Sequence, residues 1–123
     1  MFENYPQYRK YFKGKEEYKA DDVQKDDFFK KQGQRILVAV HILGSTYDVE
    51  PAFRAYIREV LNQHKRDNIM LEFKAWEDFW VMWENFLGTK MTLDEQTKHA
   101  WKEVAKKFEA EARTHAAHIG LPH

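Results

Sequence analysis

Two polar side chains interrupt two otherwise apolar helical stripes, and any chemistry would start there. In DVEPAFRAYIREVLNQHKRD, residues 48–67, the side chains Phe53, Ile57, Val60 and Leu61 recur at helical spacing, and the stripe ends in His64. In the preceding segment Phe29, Ile36, Val40 and Leu43 mark a second stripe. Gln32 stands inside it, three residues after Phe29 and four before Ile36. An unpaired buried polar group is costly, so each must find a partner. His64 is either a core histidine donating to a backbone carbonyl or a ligand for a metal or cofactor. Gln32 reads most plainly as a partly exposed amide at the stripe's edge. Gly33 beside it removes a side chain, leaving room for a neighbouring helix or a flat ligand.

Other chemistries find little material. There is no Gly-rich phosphate loop, no nucleophile elbow, and no His-x-x-x-His or Glu-x-x-His pair. His115 and His118 are three apart but lie near the chain end and read as solvated, and His41 and His99 read as surface or helix-helix contacts. The acidic residues read as spread over exposed faces, which argues against a hydrolytic carboxylate pair. Lys plus Arg (20) balances Asp plus Glu (20), so no basic field invites nucleic acid or a membrane surface. With zero Cys, disulfides and thiol chemistry are excluded, and a cytoplasmic protein is expected, an extracellular one only if a signal lies upstream. No apolar run approaches a membrane span.

The elements that must hold these side chains are helical. At 123 residues, with 43% hydrophobic residues and few Gly or Pro, the chain reads as a single domain, residues 1–123. A short helix is expected from Pro6, one helical turn around Ala20 to Gln24, and a long helix from Asp26 to Tyr47 with Leu37 and Val38 widening its buried face. Asp48 is the expected cap of the His64 helix, with Pro51 in its first turn. A third long helix spans Leu71 to Leu87 and stops at Gly88. A capping box at Thr92 to Glu95 opens the last helix, which runs to Ile119 and ends at Gly120. No stretch alternates with the two-residue period of a strand, so the fold is all-α.

A lone histidine can hold a metal only if other coordination positions come from elsewhere. Haem meets that requirement, since the protein need supply only one axial imidazole. Here the pattern becomes a resemblance. FFKKQGQRIL, with LNQHKRD following so that His64 lies 32 residues after Gln32, resembles the E and F helices of globins. MFENYP, RKYFKGKEEY, DDVQ, KQGQRIL and the closing LPH look most like nematode globins. The resemblance implies a globin-like fold with the C, E, F, G and H helices present and the A helix and most of B missing, hence an N-terminally incomplete domain. It implies haem b, with His64 as proximal iron ligand and Gln32 at the distal position, facing bound oxygen. Phe12, six after Pro6, matches the family's phenylalanine that stacks on haem, and Ile36 matches the apolar residue over the gas.

The implied function is reversible binding of oxygen and other diatomic gases for storage or transport, without an enzymatic role. A globin acting as nitric oxide dioxygenase or weak peroxidase is one alternative, and a cofactor-free helical interaction module is another. Oligomeric state stays open, a homo-oligomer included. Loss of the A and B helices should uncover Phe2, Tyr5, Tyr8, Phe12 and parts of the Trp76 to Trp83 surface.

Overall fold

The computed structural model describes residues 5–12, 14–15 and 17–123. A short 3-10 helix at Pro6–Tyr11 leads into five α-helices: α1 (Ala20–Lys25), α2 (Asp27–Thr46), α3 (Glu50–Arg66), α4 (Phe73–Lys90) and α5 (Glu95–Ile119). No strand occurs among the described residues, so the all-α fold is what forms. Contacts divide the chain into two compact units, Met1–Ile42 and Leu43–His123.

Aromatic rings organise the first unit. Tyr8 is buried and stacks with Tyr5 and Tyr11, at centroid distances of 5.9 and 6.4 Å. Tyr8 was expected to lie uncovered; it is 5% exposed. Phe2 lies outside the described residues. Asp26 caps α2, its Oδ1 accepting from the Phe28 N–H at 2.7 Å. Its Oδ2 accepts from Lys15 at 2.7 Å, and the Lys15 ammonium holds this carboxyl below the usual carboxylate range. Along α2, Phe29, Gln32 and Ile36 are half-buried and Val40 is buried. Leu37 and Val38 do not widen this face: they are 48% and 58% exposed, because they fall off the helical repeat that carries the stripe.

In the second unit, α3 and α4 each pack on α5. Phe53, Ile57 and Leu61 form the fully buried edge of α3. Pro51 sits in the first turn as expected, but the cap residue is Val49 rather than Asp48, and it makes no side-chain cap bond. Glu50 at the start of α3 and Lys65 and Arg66 at its end suit the helix dipole instead.

Four polar bridges tie α3 to α5. Lys107 donates to Glu50 at 3.1 Å, Arg58 to Glu111 at 2.7 Å, and His115 Nε2 meets Asn62 Oδ1 at 2.7 Å. Lys65 reaches the Ile119 carbonyl at the far end. Both numbers climb together, so the two helices run side by side in the same direction along this ladder. Arg58 is one of its rungs.

Trp76, Trp80 and Trp83 project from α4 and are buried rather than uncovered. Phe108 of α5 meets Trp76 at 5.9 Å and Trp80 at 5.4 Å, and Trp101 meets Trp83 at 5.5 Å. The exposed apolar groups of α4 are Val81 and Phe86. Gly88 does not stop the helix, which runs on to Lys90; the roughly 1 kcal/mol propensity cost of an interior glycine is too small to end it.

The capping box is also displaced. Asp94, not Thr92, caps α5 by accepting the Thr97 N–H at 2.7 Å, which holds its carboxyl low. Gly120 ends α5 at φ 81°, a left-handed conformation glycine adopts without strain, and Leu121 folds back into the core.

Candidate functional site

His64 sits in the last turn of α3, one turn beyond Val60, and is half-buried. Its Nδ1 lies 2.8 Å from the Val60 carbonyl oxygen. A carbonyl only accepts, so Nδ1 carries a proton, and Nε2 is the nitrogen through which this ring could reach a metal. This second bond, from a ligand histidine's other nitrogen to a backbone carbonyl, fixes tautomer and orientation and raises ligand basicity. The chain leaves α3 sharply: Asn68 takes φ 59°, and the Ile69 N–H returns to the His64 carbonyl at 2.8 Å. Beyond that turn the Trp76 ring of α4 meets the His64 ring at 4.9 Å with planes at 69°.

Gln32 and Ile36 lie one turn apart on α2, both half-buried. A Cβ placed at Gly33 would meet nothing within 4 Å among the described residues. Phe12 is half-buried and packs on Phe29 at 5.3 Å and Phe28 at 6.4 Å. Gln32, Ile36 and Phe12 thus belong to the first unit and His64 to the second.

The other histidines separate clearly. His41 and His99 are exposed. His115 is half-buried rather than solvated, and burial pushes its pKa below the usual imidazole value, with help from the nearby His118 and Arg58 charges and opposition from Glu111. Sequence reasoning missed this residue because its partner, Asn62, is 53 positions away. It also missed Asp78, which is buried rather than exposed; Lys74, one turn earlier, donates to it at 2.8 Å. Among the described residues no three His, Asp or Glu side chains converge on a metal position.

A single neutral imidazole with a free Nε2, braced through Nδ1, is what a porphyrin-held iron requires of a protein, so His64 fits haem as an axial ligand. The profile of the Globin family matches residues 1–112, across both units, and the chain belongs to the globin family. It is 50% identical over 123 residues to an extracellular globin of Pseudoterranova decipiens, covering 100% of this chain and 37% of that protein. It is 43% identical over 123 residues to a myoglobin of Ascaris suum, covering 80% of that protein's length. A high-resolution structure of a Caenorhabditis elegans globin-like protein aligns with a TM-score of 0.91 at 42% identity, over 99% of this chain and 76% of that one. These relatives are nematode globins, the branch the sequence resembles. Globins generally bind haem, and through it oxygen and other diatomic gases. No helix among the described residues is long and apolar enough to cross a membrane.

Proposed function

We propose that this chain binds haem b through His64 and takes up oxygen reversibly, for storage or transport. The observation that carries the reading is the 2.8 Å contact between His64 Nδ1 and the Val60 carbonyl, which commits one nitrogen to the backbone and leaves the other to a metal. Haem, when bound, supplies an iron centre that binds a diatomic gas. The chain's own residues do the rest. His64 anchors the group from its own side. Gln32, on the family pattern, turns its NH₂ toward the gas and donates a hydrogen bond. Such a bond is worth about 1 kcal/mol, roughly fivefold in off-rate. Phe12 and Ile36, on the same pattern, give the group apolar walls that fix its tilt and exclude water.

An amide does not titrate, so Gln32 cannot shuttle a proton as a catalytic acid or base would. This supports a binding protein over a peroxidase, and single-turnover nitric oxide consumption by the oxygenated protein tests the dioxygenase alternative. The family match across residues 1–112 supports one globin domain. Zero Cys suits a reducing compartment, and we place the chain in the cytoplasm. The test is an absorption titration with haemin. The expected result is saturation at one haemin per chain with the sharp bands of an imidazole-ligated haem. A folded chain that leaves the haemin spectrum unchanged would overturn the reading and favour a cofactor-free helical module.

A further inference from the structure

The backbone bond to Val60 fixes the tautomer of His64 and one point of its ring, but a ring held at one nitrogen can still tilt. Its second constraint is Trp76. The indole stands edge-to-face against the imidazole, centroids 4.9 Å apart and planes at 69°. Trp76 is itself only 6% exposed and is backed by Phe108 at 5.9 Å, whose own ring is buried and also carries Trp80 at 5.4 Å. The indole therefore cannot swing away without opening the α4–α5 core. Its Nε1 is buried with no hydrogen-bond partner among the described residues. No hydrogen bond from that nitrogen holds Trp76 in place; packing of its flat faces and edges does.

We propose that Trp76 is a positioning residue for the axial ligand: by packing against His64 it sets the plane in which the imidazole presents Nε2 to the haem iron. This rests on the haem reading above. Edge-to-face aromatic pairs favour a definite mutual orientation beyond the area they bury. A ligand ring whose plane is set in advance loses no rotational freedom when the metal arrives. Together the Val60 carbonyl and the Trp76 indole leave the imidazole one orientation.

The test compares Trp76→Leu with Trp80→Leu. Trp80 is one turn further along α4, is equally buried, and also has an unpartnered Nε1, so its loss loosens the same core. No ring contact joins it to His64. Two readouts report on the His64 ring itself. In the haem-free chain, NMR of the imidazole gives its tautomer and the displacement of its ring protons by the indole. In the haem-loaded ferrous chain, resonance Raman gives the iron–histidine stretch.

Trp76→Leu should move the ring-proton signals toward random-coil positions and shift and broaden the stretch. It should also weaken haemin retention by about twofold to tenfold, the scale of one aromatic pair. Trp80→Leu should lower the melting temperature comparably and leave both readouts in place. Unmoved His64 signals in Trp76→Leu, or equal movement in Trp80→Leu, would overturn the proposal.

If Trp76→Leu loses its cooperative melt, Trp76→Phe decides. Its smaller ring should displace the His64 signals part of the way, and unmoved signals would overturn the proposal. If wild type takes up no haemin, the haem reading fails by itself, and the imidazole signals of the haem-free chain still decide whether Trp76 orients His64.

Discussion

His64 and His115 are the same side chain at similar depth, and they differ in which nitrogen is committed. Each is half-buried near the C-terminal end of a long helix. His64 gives Nδ1 to the Val60 carbonyl at 2.8 Å, a bond made inside α3. His115 gives Nε2 to the Asn62 amide oxygen at 2.7 Å, a bond that crosses from α5 to α3. The first ring uses the nitrogen nearer its own backbone and leaves the outer one uncommitted. The second uses the outer nitrogen as a strut between helices. Residue type and burial therefore do not distinguish the two rings. The partner does.

The sharpest way to break this contrast is to remove each ring in turn. His64→Ala should abolish stable haemin binding, with exogenous imidazole partly restoring the spectrum, while His115→Ala keeps it. Absorption titrations of the two variants would read this, and equal retention would erase the distinction. The distal assignment sharpens the His64 side of the contrast. Gln32→Leu should leave haem bound and speed oxygen release roughly fivefold, the equivalent of about 1 kcal/mol, with carbon monoxide affected much less. Bound dioxygen carries more negative charge than bound carbon monoxide, so equal changes for both gases in flash photolysis would point to bulk instead of a hydrogen bond.

The strut side predicts smaller effects. Asn62→Ala removes the acceptor for His115 and should cost about 1 kcal/mol in denaturant unfolding without loss of haem. No change in the unfolding midpoint would mean the bond is idle.

The smallest effect is in pH. The folded chain holds the His115 pKa below the ordinary imidazole value, so on acidification the unfolded chain takes up its proton first. Stability from this group is therefore full above the ordinary imidazole pKa and is lost progressively as pH falls from there through the lowered folded value. Between about pH 7.5 and about pH 5.5 the wild type should lose more melting temperature than His115→Gln. Parallel losses would show that His115 does not contribute to the slope.

What could be read from sequence, and what could not, follows from the range of the interactions. The α3 stripe of Phe53, Ile57 and Leu61 with His64 at its end is a local repeat, and it appears as the spacing implies. So do the short helices at Pro6 and Ala20 and the stop at Gly120, each set by backbone chemistry within a few residues. The errors at Thr92, Asp48 and Gly88 are local too. Several capping residues stood close together, and a single glycine is a weak breaker. The burial of Trp76, Trp80 and Trp83 was not legible, because Phe108 and Trp101, which cover them, arrive from α5. Nor was the His115 strut. For the site, the sequence singled out His64 and Gln32 as anomalies, but only the Val60 contact gave His64 a definite tautomer.

The α3–α5 ladder has a kinetic consequence. Its rungs join residues 53 to 57 apart, with all of α4 lying between them along the chain. Whichever rung forms first must close a loop of that length, an entropic cost of about 3–4 kcal/mol before any constant term. Once it has closed, the remaining rungs face loops of only a few residues and can zip along the two helices at little further cost. Each rung is too weak to nucleate the pairing, and exposed charge pairs contribute little individually. The hydrophobic edge of Phe53, Ile57 and Leu61 must therefore dock first and the ladder close behind it. A seam that closes after the transition state acts on the way out more than on the way in. Loss of a rung would leave the folding rate almost unchanged and speed unfolding, which makes the ladder a latch on the helix that carries His64.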